Sequence, residues 1–339
     1  MSLPKPSKEL IEVKTALTKK FGEDAVFVLG EKKGLAVSVI PTGSLLLDRA
    51  LGVGGWPEGR IIEVYGHEGS GKSTVCQRTI AEAQKLGKLC SYVDVEHALD
   101  PEWAARQGID LERLLVAQPD SGEQALDIVE GMIDAGVSVI VVDSVAALVH
   151  QAELDGEMSD QQVGLQARLM SKAMRKLKGK VAKNKCVLIF INQVREKVGV
   201  LFGNPEVTPG GRALKFYASV RVEMRRGDVY KEGKVVVGHQ VKCKVTKNKV
   251  AAPYRAVALD LYYDGGIDNV KEVISLATAA GIIQKRGGWF KYTGDKEYSW
   301  QGMAGARAEL LKDKKLYEEI LLAVRQVFPT IQVTEEGVD

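Results

Sequence analysis

From residue 60 to residue 191 the chain alternates short apolar runs with amphipathic stretches of helical spacing. Residues 60–65 and 89–95 read as strands, and 139–142 and 186–191 are runs of β-branched and apolar residues without polar alternation. That is the pattern of strands covered on both faces of a parallel sheet. Residues 73–86 have helical periodicity and stop at Gly87, and a second helix opens at Asp100-Pro101, an N-cap followed by proline at the first helical position, and ends at Gly108. Strands separated by helices predict an α/β domain with a doubly wound, mainly parallel sheet. After Tyr217 the pattern shifts to strands and turns (220–224, 235–237, 239–245, 256–261), which continue the sheet with antiparallel members.

Both flanks read differently. Residues 5–21 carry Leu10, Ile11, Val13, Leu17 and Phe21 at helical spacing and end at Gly22; an apolar run, 25–29, reads as a strand before the basic, glycine-rich 30–34. A helix and strand this small either pack on their own core or are exported onto a neighbouring subunit. Asp264-Gly265-Gly266 marks a boundary, beyond which 269–282, 303–311 and 315–328 read as helices around a short strand at 289–292. The expected division is an N-terminal arm at 1–33, a core at 34–268 and a small α+β domain at 269–339.

Composition narrows the class. With 339 residues and 45% hydrophobic content, the chain is long enough for about two globular domains, which excludes wholesale disorder. No run approaches the roughly 18 apolar residues of a membrane span, and the first ten residues lack the apolar stretch of a signal peptide, so a cytoplasmic location without membrane partners is expected. Cys76, Cys90, Cys186 and Cys243 stand far apart, which indicates neither a zinc site nor a disulfide framework; three of them read as core residues. The net charge of +3 conceals opposed blocks. Residues 168–185 hold eight basic side chains and no acid, and residues 212–255 hold twelve basic and three acidic, so the rest of the chain carries −14. Clustered Lys and Arg suit a polyanion, although each block alone also fits a solvated helix face.

The chemistry concentrates at strand ends. Gly66-His67-Glu68-Gly69-Ser70-Gly71-Lys72-Ser73 matches G-x-x-x-x-G-K-[ST] between a strand and a helix, where backbone N–H groups and the helix N-terminus cradle phosphates. Lys72 is expected to reach the β/γ-phosphates, and Ser73 to ligate Mg²⁺. Asp143 closes the apolar run 139–142 and is expected to hold the cation, the alternative being that Asp143-Ser144 caps the next helix. Glu96, at the tip of the 89–95 run, is placed to deprotonate an attacking water, the alternative being a solvated loop acid. Gln193 follows the last apolar run and could sense the γ-phosphate through its amide. Two loops exceed the needs of connection: 155–164, short and polar, and 193–211, 19 residues carrying Val198, Val200, Leu201 and Phe202 between Arg195, Lys197 and Arg212. Apolar side chains flanked by cations suit stacking on bases, as an alternative to local packing.

On these motifs the chain closely resembles the bacterial RecA recombinases over essentially its whole length. Further matching stretches are Pro41-Thr42-Gly43-Ser44, Asp94-Val95-Glu96-His97-Ala98-Leu99-Asp100-Pro101, residues 141–148, 168–177, Phe202-Gly203-Asn204-Pro205, 210–221 and Lys247-Asn248-Lys249. The resemblance implies a RecA-type P-loop core with the N-terminal helix-strand arm and small C-terminal domain, binding ATP with Mg²⁺. It further implies a helical filament on single-stranded DNA that pairs it with homologous double-stranded DNA in recombination and repair, with an SOS-type repressor as a candidate further partner.

Carried over by position, the resemblance makes Glu96 the catalytic base, Gln193 the γ-phosphate relay, and Lys72, Ser73 and Thr74 the phosphate and Mg²⁺ ligands. It puts Asp100 and Trp103 near adenine, and Lys247 and Lys249 on the ATP of the adjacent subunit. DNA contacts are implied for Arg168, Ser171, Arg175, Gly210, Gly211, Arg212 and both loops. Phe216 falls in the subunit contact, and Lys285, Arg286 and Lys291 become candidates for recruiting duplex. The chain departs from the family at His67-Glu68-Gly69, where many members have Pro-Glu-Ser, at Trp103 in place of Tyr, and in a shorter, less acidic tail. The competing expectations are a hexameric helicase-like motor on the same core and a nucleotide-gated DNA-binding scaffold without hydrolysis.

Overall fold

The structure, a computed structural model, describes residues 7–22, 25–28, 37–156, 164–196, 206–294 and 296–329. The chain forms two compact units, residues 1–38 and 39–339. In the first, helix α1 (Lys8–Phe21) is capped by Ser7, whose side chain accepts from the Leu10 N–H, and closes with the Gly22 N–H on the Thr18 carbonyl. No residue of α1 is buried, and its apolar stripe of Leu10, Ile11, Val13, Leu17 and Phe21 is exposed. The described residues 25–28 form no strand. An apolar run becomes a strand only when it finds a neighbour to pair with.

The second unit is built on a nine-stranded sheet. Its strands are β1 (Arg60–Gly66), β2 (Cys90–Asp94), β3 (Leu114–Ala117), β4 (Val139–Asp143), β5 (Val187–Gln193), β6 (Val220–Glu232), β7 (Val235–Asn248), β8 (Ala256–Tyr262) and β9 (Gly266–Ile267), in the order β9-β8-β7-β6-β1-β5-β4-β2-β3. The pairings from β6 to β3 are parallel and those from β6 to β9 antiparallel. Helices cover both faces: α2 (Leu45–Leu51), α3 (Lys72–Lys85), α4 (Pro101–Arg106), α5 (Gly122–Asp134), α6 (Leu165–Lys183) and the short α7 (Ala213–Tyr217).

Two cores explain why the central strands lack alternation. Val139, Val141, Val187, Ile189 and Ile191 face one core with α3, whereas Ile140, Val142, Leu188 and Phe190 face the other with α5 and α6. Every second residue enters a different apolar layer, so each position must be apolar. All four cysteines are buried and unpaired, the fourth included.

Two stretches differ from the sequence pattern. β6 and β7 form one long hairpin where apolar runs indicated shorter strands, because its outer part, with Tyr230 opposite Gly238 and Glu232 opposite Val235, is held by cross-strand pairing and not by burial. Beyond α8 (Asn269–Ala279) lie three short strands where one was expected: β10 (Ile283–Arg286), β11 (Trp289–Thr293) and β12 (Glu297–Gln301). They turn Phe290, Tyr292 and Trp300 inward against α8, α9 (Gly302–Lys312) and α10 (Lys314–Val327), in a core that also takes in Leu45.

Register sets the working edge. Gly66 lies opposite Gln193, and Asp94 opposite Asp143. The carboxyl ends of β1 and β5 are therefore level, as are those of β2 and β4, and with Val142 opposite Phe190 whatever follows these strands gathers at one crevice.

Candidate functional site

β1 ends at Gly66 and turns at once into the phosphate loop. A Cβ on Gly66 would stand 1.9 Å from the Met224 carbonyl oxygen on neighbouring β6, so only glycine fits. Gly71, at φ +83°, forms the N-cap of α3 without a side-chain cap, which leaves the first-turn N–H groups directed at the loop's hollow. Lys72 Nζ and Ser70 Oγ each donate to the His67 carbonyl oxygen at 2.7 Å. Burial pushes the Lys72 pKa down, against the pull of Asp143 and Glu96.

Asp143 closes β4 and accepts on Oδ2 from Ser73 Oγ at 2.7 Å and from Tyr92 OH at 2.6 Å. Burial raises its pKa while the two hydroxyls pull it back. Ser144 makes no side-chain cap; its hydroxyl donates instead to Glu96 Oε1, so the helix-cap alternative for this pair is not the arrangement found. Glu96 Oε1 also accepts from Gln193 Nε2 at 2.9 Å. The loop bearing Glu96 is held by Asp94, which accepts from the N–H groups of Ala98 at 3.0 Å and Leu99 at 3.2 Å and from Gln118 Nε2 at 3.1 Å.

Lys72, Ser73, Thr74, Glu96, Asp143 and Gln193 thus line one cavity of about 220 Å³, together with residues 68–71. A hydroxyl and a carboxylate, both hard oxygen donors, fit Mg²⁺, which keeps several waters and shares its shell with substrate phosphates. The described residues hold no cluster of three His, Cys, Asp or Glu of the kind an all-protein cage would need. Asp100 and Trp103 do not line this cavity. Asp100 caps α4, accepting from Glu102 N at 2.9 Å and Trp103 N at 3.2 Å, and Trp103 is half-buried.

Next to the crevice, α6 sorts its charges by face. Arg168, Lys172 and Arg175 are exposed and Ser171 is half-buried. Lys176 and Lys180 instead pair with Glu130 of α5, Lys180 also with Asp134, and Lys178 stands over the Tyr217 ring at 6.0 Å. Gly210 and Gly211, at φ +81° and +72°, run against this helix: a Cβ on Gly210 would meet Val145 Cγ1 at 2.9 Å, and one on Gly211 the Ala167 Cβ at 2.8 Å. Arg212 follows, exposed. Val198, Val200 and Phe202 lie outside the described residues.

Two arginines of the second basic block are compensated by acids. Arg221 pairs with Glu63 and covers the Tyr65 ring, while Arg225 pairs with Glu206 and Glu223. Lys247 Nζ donates to the carbonyl oxygens of Lys215 at 2.6 Å and Phe216 at 3.0 Å; Lys249 is exposed, and Phe216 is 69% exposed. Burial lowers the Lys247 pKa, and Lys249 and Arg221 add to that shift. His67 lies 3.0 Å from Glu206 through Nε2, linking the phosphate loop to the strand pair Arg195–Glu196 and Glu206–Val207 at the stem of the second loop. In the C-terminal sheet, Lys285 stands over the Phe290 ring and Lys291 pairs with Glu297, with Arg286 exposed.

The family model described as the RecA N-terminal domain matches residues 8–268. The chain is 52% identical over 311 residues to Protein RecA of Bacillus subtilis strain 168, covering 91% of this chain and 88% of that protein. It is 52% identical over 312 residues to Protein RecA of Heliobacterium modesticaldum strain Ice1, covering 91% and 90%, and 49% identical over 324 residues to Protein RecA of Enterococcus hirae, covering 94% and 93%. This chain belongs to the RecA family. Its α/β architecture, with a large, mainly parallel sheet and a small C-terminal antiparallel sheet, is that of the family. No described helix is long and apolar enough to cross a membrane.

Several site residues of this RecA-family chain carried no sequence signal. Tyr92 lies in an apolar run and reads as core, yet its hydroxyl reaches Asp143. Asp94 and Ser144 stand beside residues already singled out, and their spacing gives no hint that one braces the Glu96 loop and the other bonds to Glu96. Gln166 and Glu206 have partners far along the chain and no motif.

Proposed function

We propose that this chain is a DNA-dependent ATPase and homologous recombinase. Bound to ATP, it assembles as a helical filament on single-stranded DNA and searches duplex DNA for homology. It then exchanges strands in recombination and repair, within the cytoplasm. The observation that carries this reading is the hydrogen bond from Gln193 to Glu96: one side chain at the root of the second loop touches the acid best placed to activate water.

Residues 66–74 cradle the phosphates, with Lys72 directed to the β/γ-phosphates. Ser73 and Asp143 would hold Mg²⁺, which would supply neutralisation of the charge that develops on the phosphates. Glu96 takes the proton of the attacking water, and its loop is preorganised for this by Asp94. Gln193 reports the γ-phosphate to the loop. Asp100 and Trp103 flank the adenine, an aromatic there being able to stack on the base.

Lys247 and Lys249 act on the ATP of the adjacent subunit, next to the exposed Phe216 that enters the same contact, so that hydrolysis depends on assembly. The N-terminal arm at 1–33, with its exposed apolar stripe, docks on a neighbour. The core at 34–268 captures single-stranded DNA with Arg168, Ser171, Arg175, Gly210, Gly211, Arg212 and, from the second loop, Val198, Val200 and Phe202. The domain at 269–339 recruits duplex through Lys285, Arg286 and Lys291. An SOS-type repressor is a further candidate partner.

The test is a strand-exchange reaction between homologous single-stranded and duplex DNA, with and without ATP. Joint molecules that require ATP and homology are expected. Closed rings in place of extended filaments by electron microscopy, with no exchange, would replace this reading with the helicase-like motor.

A further inference from the structure

Gln166 lies on the first turn of α6, half-buried, and its side-chain amide is fully employed. Nε2 donates to the carbonyl oxygens of Val145 at 2.8 Å and Leu148 at 3.3 Å, with that of Ala146 at 3.5 Å. Oε1 accepts from the Gly210 N–H at 3.1 Å. Reversing the amide would set oxygen against carbonyls and NH₂ against N–H, so the partners themselves fix its orientation.

These partners are not incidental. Residues 145–148 form the turn that leaves β4 directly after Asp143 and Ser144, and the Ser144 hydroxyl bonds to Glu96 Oε1. Gly210 is the exit of the second loop, held close between Val145 and Met170 of α6, with no room for a Cβ. The entry of that loop is Gln193, which bonds to the same Glu96 oxygen. Both ends of one loop therefore converge on one carboxylate oxygen: the entry directly, the exit through Gly210, Gln166, the turn and Ser144.

We infer that Gln166 is a positioning residue that couples capture of single-stranded DNA at Gly210-Gly211 and α6 to the hold on Glu96. The inference rests on the proposed DNA-dependent ATPase. Binding that shifts the loop exit must move the Gln166 amide or strain its bonds, and the turn that carries Ser144 shifts with it. An amide suits this position, since it donates to carbonyls from one end and accepts from an N–H at the other. Leucine keeps roughly the volume and loses both functions. Glutamate keeps the acceptor for Gly210 but sets a carboxylate against the carbonyls of the turn.

The experiment uses the full chain and its Gln166→Leu and Gln166→Glu variants. It measures ATP hydrolysis with and without an oligo-dT single strand, the affinity for that strand, and the affinity for ADP without DNA. In both variants DNA-stimulated kcat is expected to fall roughly tenfold, the scale of coupling changes along such a network, with KM for ATP and DNA-free ADP affinity within about twofold of the parent. A purely structural role would lower thermal stability and ADP affinity together with turnover, and that outcome overturns the inference. So does full DNA stimulation in both variants, or in Gln166→Glu alone, which would detach the turn from the relay. A parent protein that shows no DNA stimulation would overturn the ATPase reading itself; a stimulated parent with equally stimulated variants would overturn only the coupling.

Discussion

Glu96 sits exposed at the end of β2, but the Ser144 hydroxyl and the Gln193 amide converge on its Oε1 and Asp94 braces its loop. A carboxylate in that position can orient and deprotonate a water, whereas an amide of the same shape can only orient it. Glu96→Gln is accordingly expected to lower DNA-stimulated ATP turnover by about 10²- to 10⁴-fold while nucleotide affinity is retained, checked by comparing steady-state hydrolysis with fluorescent-nucleotide titration. Hydrolysis at the parent rate would remove Glu96 from the catalytic role. His67 illustrates the same scale. In the sequence it is merely an unusual residue in the phosphate loop, and its partner, Glu206, lies 139 positions away.

At the scale of an element, α6 shows how a charge count misleads. Eight basic residues from 168 to 185 suggest one cationic face. In the folded helix Lys176 and Lys180 turn to the acids of α5 and Lys178 stands over Tyr217, which leaves Arg168, Lys172 and Arg175 exposed along the helix and Lys183 and Lys185 exposed at its end. Counterion release counts only phosphates that are neutralised, so two adjacent cations should behave differently. Arg175→Ala is expected to weaken single-stranded DNA binding and to flatten the plot of log affinity against log salt by roughly 0.7. Lys176→Ala, whose charge Glu130 already compensates, should leave that slope at the parent value. Fluorescence anisotropy over a salt series distinguishes the two, and equal slope changes would contradict the division of the helix into faces.

Across the whole 39–339 unit, the C-terminal elements are tied to the N-terminus of α2 through Glu272 of α8. Its Oε1 accepts from Ser44 Oγ at 2.6 Å and its Oε2 from the Leu45 N–H at 2.7 Å, with the carboxyl fully buried. Burial pushes the Glu272 pKa up to about 7, against the pull of these hydrogen bonds, and burial also raises Asp48. A carboxyl whose folded pKa lies above its unfolded value binds more protons in the folded state. Its stabilising contribution is therefore complete below about pH 4.5 and is lost as pH rises through about 7. The apparent Tm of the parent should fall between pH 5.5 and 8.5 by a few degrees more than that of Glu272→Gln, which has no proton to lose there. Parallel profiles in differential scanning fluorimetry would show that Glu272 does not titrate in this range.

What the sequence determined by itself was local. The phosphate loop is eight consecutive residues between a strand and a helix, the Asp100-Pro101 cap spans two, and Asp143 ends its own apolar run; each reads without knowledge of the fold because its physics lies within a few residues. The long apolar strands were legible for the same reason, since burial on both faces leaves every position apolar. The outer hairpin of β6 and β7 and the C-terminal β10 and β12 were not, because pairing holds them more than burial does. Tertiary structure alone decided which side chains meet: Gln193 with Glu96 across 97 residues, Gln166 with Gly210 across 44, Glu272 with Ser44 across 228. Hydrogen bonds and ion pairs of that range depend on strand order and register, and no periodicity along the chain encodes them.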